Sequence, residues 1–223
     1  MTEALTRASL AARVDHTILA PQATRAEVDR VVAEAVSHGC ASVCVQPAMV
    51  GAAVEIAGGR VPVCAVVGFP HGATLSEVKA VEAAAAVAQG AVEIDMVADL
   101  GAIAEGDDTS VAHDVARVRA AVPHVVLKVI LESALWGDAQ LRGACEAAVA
   151  GGADYVKTST GFHPAGGATA RAVAVMRGAA GGRARVKASG GIRTLAEART
   201  MLDAGADRLG LSATTAILDE LPG

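Results

Sequence analysis

Only four of the 19 basic residues are lysines, Lys79, Lys128, Lys157 and Lys187, and the last three fall in stretches that read as buried strands. An ammonium group in a low-dielectric strand is unfavourable unless it is paired or loses its proton. Arginine keeps its charge at any accessible pH, whereas a buried lysine can become a neutral amine that attacks a carbonyl. A single strand lysine would read as half of a buried ion pair, with Glu93, Asp95 and Glu132 available as partners. Three on neighbouring strands point to amine chemistry instead. Lys157 is the best placed, because Gly161, Pro164, Gly166 and Gly167 end its strand, which takes in the Thr158-Ser159-Thr160 run, in a loop. Lys79, in SEVKAVEA between Glu77 and Glu82, reads as a solvated or paired surface residue on a helix.

The other polar strand positions converge on the same point. In VEIDMV, alternation sets Glu93 and Asp95 on one face with Asp95 nearer the carboxyl end, while Lys128 shares a face with Ile130 and Lys187 with Ser189. One acid and three amines thus face a common centre. Burial and a second ammonium both disfavour the protonated form of Lys157, leaving an amine ready for a carbonyl near neutral pH. An anion site is signalled by Ser189-Gly190-Gly191-Ile192-Arg193-Thr194 and by Gly210-Leu211-Ser212, each a strand end opening a helix whose first N–H groups can face a phosphate. No metal is expected. His16, His38, His71, His113, His124 and His163 are scattered, and Cys40, Cys44, Cys64 and Cys145 form no C-x-x-C pair, so the thiols read as reduced and packed. His71 and His163 fall in loops at the site or its rim, and His16 reads as a packed strand residue. No G-x-S-x-G elbow marks a serine hydrolase.

An internal repeat supplies the scaffold for these groups. Gly39-Cys40-Ala41-Ser42-Val43, Gly90-Ala91-Val92-Glu93-Ile94, Gly152-Ala153-Asp154-Tyr155-Val156 and Gly205-Ala206-Asp207-Arg208-Leu209 each follow an Ala-rich helical stretch and open a strand. The strands they open lie near 41–45, 91–97, 153–158 and 207–211. Each interval holds one more, and the interleaved set lies near 14–19, 61–67, 124–130 and 184–189. Eight strands alternating with helices predict a (β/α)8 TIM barrel, a single domain over 1–223 with a short extra amphipathic helix at the start and a small helix in 99–110. A doubly wound open sheet is the alternative, but no G-x-G-x-x-G follows the first strand and no P-loop motif occurs. In such a barrel the reactive groups lie at the carboxyl ends of the strands.

Composition restricts the partners. A net charge of −5 without a basic run argues against nucleic acid and anionic membrane. No signal-like apolar region or 18-residue apolar stretch occurs, which predicts a cytoplasmic protein.

VDHTIL, VCVQP, VGFPHGAT, EIDMV, LKVILE, DYVKTSTGF, VKASGGIR and GADRLGLS, in this order across residues 14 to 212, resemble the deoxyribose-phosphate aldolase family. The resemblance implies a metal-free, cofactor-free class I aldolase that reversibly cleaves 2-deoxy-D-ribose 5-phosphate to acetaldehyde and D-glyceraldehyde 3-phosphate. It implies Lys157 as the Schiff-base lysine, Lys187 as the second lysine that favours its neutral form, and Asp95 as the acid/base acting through water. Lys128 would hold the proton network, Asp15 would orient it, and Gly161, Gly190, Gly191, Arg193, Gly210 and Ser212 would surround the phosphate. A homodimer or higher homo-oligomer is implied as well. The chain departs from the pattern at Ala20, Phe162 and Ala213, where members carry polar residues, and in lacking a terminal tyrosine tail after Leu221-Pro222-Gly223. Proton transfer then falls to Asp95 and water. A phosphosugar isomerase or synthase, which needs no lysine nucleophile, and a non-catalytic phosphometabolite-binding barrel are the rival readings.

Overall fold

Residues 5–221 are described by a computed structural model of the chain. Eight parallel strands close into a barrel in chain order: β1 (Val14–Ile18), β2 (Ser42–Val45), β3 (Val63–Val67), β4 (Glu93–Val97), β5 (Val126–Ile130), β6 (Tyr155–Lys157), β7 (Arg185–Ser189) and β8 (Arg208–Leu211). Pairing of Val14 with Leu209 and Asp15 with Gly210 seals β1 to β8. Helix α1 (Arg7–Ala11) precedes β1, and α2 (Arg25–His38), α3 (Val50–Ala57) and α4 (Ser76–Ala88) follow the first three strands. Two helices follow β4, α5 (Leu100–Glu105) and α6 (Asp108–Ala121). Then come α7 (Asp138–Ala150), α8 (Ala170–Ala180), α9 (Leu195–Asp203) and α10 (Thr214–Asp219). The small helix expected in 99–110 is α5, capped by the Asp99 side chain on the Ala102 N–H at 3.1 Å.

The fourfold glycine repeat has a backbone cause. Gly39, Gly90, Gly152 and Gly205 all have positive φ, between 70° and 109°. At each, the following N–H reaches back to a carbonyl five residues earlier, as in Cys40 to Ala35 and Ala206 to Met201. That left-handed turn stops the helix and aims the chain into the next strand without a Cβ penalty.

Alternation along the strands divides the core in two. Val43, Val63, Ile94, Leu127, Val129, Val156, Val186 and Leu209 face outward into the apolar layer beneath the helices. Asp15, Asp95, Lys128, Lys157 and Lys187 point inward and bond one another. Beside them lies a small inner apolar group, Leu19, Cys44, Cys64, Val66 and Phe69. The helices therefore carry most of the hydrophobic stabilisation, while the barrel interior is largely given over to charge.

Three expectations need correction. Lys79 is not a surface residue: it is fully buried and pairs with Asp114 of α6 at 2.7 Å. Its apolar stem packs against Gly68, and its sequence neighbours turn elsewhere, Glu77 to Arg117 and Glu82 to the Gly68 N–H. Among the described residues Glu132 partners no lysine; its carboxylate accepts from the Thr160 hydroxyl at 2.6 Å. The Thr158-Ser159-Thr160 run lies beyond β6, which ends at Lys157. Its polar groups tie that strand end to β7 instead: Thr158 Oγ1 donates to the Ser189 carbonyl and accepts from its N–H, both at 3.0 Å. Residues 1–4 of the expected first helix, and Pro222 and Gly223 at the chain end, lie outside the described residues.

Candidate active site

Asp95 stands at the centre of the barrel interior. Its Oδ1 accepts from Lys128 Nζ at 2.8 Å and from Cys64 Sγ at 3.1 Å. Its Oδ2 accepts from both Lys157 and Lys187, at 2.6 and 2.7 Å. Lys187 also bonds Asp15 Oδ2, and Lys128 reaches Glu93 at 2.5 Å and Asp15 at 3.6 Å. All five residues expected to be catalytic, Asp15, Asp95, Lys128, Lys157 and Lys187, are thereby joined in one buried network.

The strands impose this arrangement. Lys157 and Lys187 are register partners on β6 and β7, and Asp95 and Lys128 are register partners on β4 and β5. Long, flexible lysine stems from opposite sides can then meet one short carboxylate. Gly210 makes room for one of them, since a Cβ there would lie 3.2 Å from Lys187 Cε and 2.9 Å from Ser189 Cβ. Its place among the expected phosphate residues thus coincides with a packing requirement.

The charges sort the groups by how firmly each holds its proton. Burial opposes ionisation of Asp95, but the ammonium groups of Lys128, Lys157 and Lys187 outweigh it and hold the carboxyl well below the usual range. Asp15 is likewise lowered, against its burial, by Lys187, Lys128 and Arg208. Burial works against the charged form of Lys187, yet Asp15 and Asp95 raise its proton affinity above the ordinary lysine value. Lys128 is raised in the same way, chiefly by Asp95. Lys157 differs in its surroundings: among the described residues it pairs with Asp95 alone, and it ends β6 at the mouth.

The loops beyond β6 and β7 form the rim. Gly161, Gly190 and Gly191 have φ of 80°, 86° and 80°. A Cβ on Gly167 would lie 2.1 Å from the Gly190 carbonyl oxygen, so these two loops stack backbone on backbone, joined by the Ala168 N–H to Gly190 O bond at 3.0 Å. Arg193 and Ser212 are exposed at the starts of α9 and α10. The expected N–H donors are not all available: Arg193 and Thr194 give theirs to Glu197 at 2.7 and 3.1 Å, because a capping glutamate has taken the position an anion would use. Phe162, half exposed, meets the ring of Phe69 edge to face at 5.1 Å across the mouth. His71 is exposed, and His163 only bonds its own loop through the Ala165 N–H. His16 is buried as expected, bonded to Glu34 at 2.8 Å.

Two features escaped the reading of the sequence. Cys44, Cys64 and Asp95 bring two thiols and a carboxylate within 4.8 Å of one another, a spacing that could hold a metal ion. Both Asp95 oxygens already face ammonium groups, an environment that repels a cation. Arg208 was the other omission. Its guanidinium donates to Asp15 Oδ1 at 2.6 Å and lies 3.4 Å from Glu93, closing the network from below. Period-two alternation from Gly210 would have placed it inside the barrel.

Comparison with known proteins gives the family of the chain and agrees with its fold. The chain is 60% identical over 220 residues to a deoxyribose-phosphate aldolase of Mycobacterium avium (strain 104), covering 97% of this chain and 98% of the relative. It is 59% identical to the deoxyribose-phosphate aldolase of Mycobacterium tuberculosis (strain ATCC 25618 / H37Rv), covering 97% of each. The solved deoxyribose phosphate aldolase of Aeropyrum pernix, described as having a unique tetrameric structure, superposes with a TM-score of 0.89 at 36% identity, over 96% of this chain and 92% of that one. Residues 9–219 match the model of the DeoC/LacD family aldolases, and with a carboxylate shared by strand lysines inside a closed barrel, this chain belongs to that family.

Proposed function

We propose that this protein is a class I aldolase that reversibly cleaves 2-deoxy-D-ribose 5-phosphate to acetaldehyde and D-glyceraldehyde 3-phosphate, with Lys157 as the Schiff-base nucleophile. The observation that carries the reading is the single carboxylate oxygen, Asp95 Oδ2, shared by Lys157 and Lys187. Two ammonium groups on one oxygen repel each other, and Lys157, unlike Lys187, has no other carboxylate partner among the described residues.

The neutral Lys157 amine adds to C1 of the open-chain sugar, and loss of water gives an iminium ion that serves as an electron sink. Lys187, held charged between Asp15 and Asp95, donates towards the departing oxygen. A base then takes the C3 hydroxyl proton. The C2–C3 electron pair flows into the iminium, because the two-carbon product must carry C1 and C2, and D-glyceraldehyde 3-phosphate is released. Asp95 acting through water is that base; Lys128 keeps it ionised, and Asp15 holds Lys187 in place beside it. The resulting enamine is protonated at C2, and hydrolysis of the imine frees acetaldehyde and regenerates the Lys157 amine. Gly161, Gly190, Gly191 and Ser212 at the rim, Gly210 on β8 and the side chain of Arg193, whose N–H is held by Glu197, surround the phosphate, and that remote anchorage aligns C1 with the amine. The site needs no cofactor.

A coupled assay for released D-glyceraldehyde 3-phosphate, joined with borohydride trapping of acetaldehyde and mass spectrometry of the labelled peptide, tests both parts. Turnover with the label on Lys157 is expected; turnover without any trapped lysine would remove the Schiff base. We further read the protein as cytoplasmic and homo-oligomeric, with small phosphosugars and aldehydes, not nucleic acid or membrane, as its partners. No helix among the described residues is long and apolar enough to cross a membrane. The tetrameric description of the Aeropyrum relative supports self-association.

A further inference from the structure

The buried network has an unequal number of charges. Its cations are Lys128, Lys157, Lys187 and Arg208, and its carboxylates are Asp15, Glu93 and Asp95. The Arg208 guanidinium is the outermost of the four, near the amino-terminal end of the barrel and seated on the Tyr155 ring at 5.5 Å. From there charges alternate to the mouth: Arg208 bonds Asp15, Asp15 bonds Lys187, Lys187 bonds Asp95, and Asp95 bonds Lys157.

A low-dielectric interior disfavours net charge, so four cations against three anions leave one proton in surplus. Arg208 cannot give up that proton, since a guanidinium stays charged. Lys128 and Lys187 each lie against two or more carboxylates, whereas Lys157 has one and sits at the mouth. Without Arg208, three ammonium groups would balance three carboxylates, and only the repulsion from Lys187 across the shared Asp95 oxygen would still favour loss of the Lys157 proton.

We propose that Arg208 is a positioning residue of the aldolase reaction: as the fourth cation over three carboxylates, it makes the Lys157 proton the surplus one and keeps the nucleophile a free amine. The proposal rests on Lys157 being the Schiff-base lysine. Lys157 is faced by Glu93 and Asp95 from β4, Lys128 from β5, Lys187 and Arg185 from β7, Asp15 from β1, Arg208 from β8, and the thiols of Cys44 and Cys64 from β2 and β3. Tyr155 lies on its own strand, its hydroxyl accepting from Arg185 at 3.0 Å. Arg185 bonds none of the three carboxylates among the described residues and stands outside the count. Both thiols are counted as neutral. Cys44 is the one to check, because the adjoining Cys64 side chain lowers its thiol, against burial, below the usual value.

The test is the pH profile of imine trapping by acetaldehyde and borohydride, read as label on the Lys157 peptide. Arg208→Gln should move the midpoint upward by about one pH unit or more, so that trapping at neutral pH falls about tenfold and recovers at high pH. Arg208→Lys, which restores the charge, should return the midpoint towards wild type. Glu93→Gln, which removes an anion, should move it downward, and it carries the test if Arg208→Gln fails to fold. The Arg208→Gln shift should persist in a Cys44→Ala background, and its disappearance there would overturn the charge count. An unshifted midpoint, or a loss of trapping equal at every pH, in a folded variant would overturn the role of Arg208. Absence of label on Lys157 in the wild type would instead overturn the nucleophile itself.

Discussion

Replacing Lys187 by leucine removes the ammonium that shares an Asp95 oxygen with Lys157, the proposed nucleophile. Lys157 and Lys187 donate to the same Asp95 oxygen at 2.6 and 2.7 Å, which limits their separation to about 5 Å and, at an effective dielectric constant of about 20, makes their repulsion about 3 kcal/mol. Each pH unit of proton affinity corresponds to about 1.4 kcal/mol, so the midpoint of imine trapping should rise by about two units in Lys187→Leu. The sign is unambiguous. Losing a neighbouring positive charge lets Lys157 keep its proton to higher pH, and Asp95, with one ammonium fewer, attracts that proton more strongly. Desolvation of Lys157 is untouched, so the profile should not return fully to that of an exposed lysine. The assay is borohydride trapping at a series of pH values, with circular dichroism and a urea titration to show that the barrel still closes. An unshifted midpoint in a folded variant would refute the electrostatic reasoning, and label moving to another lysine would refute the assignment of Lys157.

Lys157→Arg removes the deprotonatable amine and fixes a positive charge beside Asp95, so turnover and trapping should both vanish, and the surplus buried charge should lower the urea midpoint without preventing folding. Chelation should leave activity unchanged, because the Asp95 oxygens near Cys44 and Cys64 are occupied by ammonium groups; loss with EDTA and rescue by zinc would contradict this. Lys79→Met breaks the fully buried pair with Asp114, which also accepts the Asp99 N–H at 3.1 Å, and should destabilise the fold by about 3 kcal/mol in urea unfolding. Adding Asp114→Leu should recover part of that loss, since the unpaired buried charge is then gone; a single variant as stable as wild type would show that the pair is solvated.

Local signals in the chain were enough to specify the barrel and to place Lys157 at the carboxyl end of its strand. The positive-φ glycines of the fourfold repeat, strands with period-two alternation and loop-forming residues after Lys157 act over a few residues, and backbone sterics make them hold in any context. The same alternation put Asp95, Lys128 and Lys187 on inward faces, and closure of the barrel brought them together. Partners from distant strands were decided only in three dimensions. Lys79 lies between two glutamates in sequence yet pairs with Asp114, 35 residues on, because α4 and α6 pack side by side beneath the β3 loop. Glu132 is four residues from Lys128 in the chain but turns to Thr160, where a buried hydroxyl satisfies it. Arg208 shows the difference most plainly. Its type and position are written in the chain, but its meaning depends on a count of charges drawn from seven strand positions on six strands, and only closure of β8 onto β1 assembles that count.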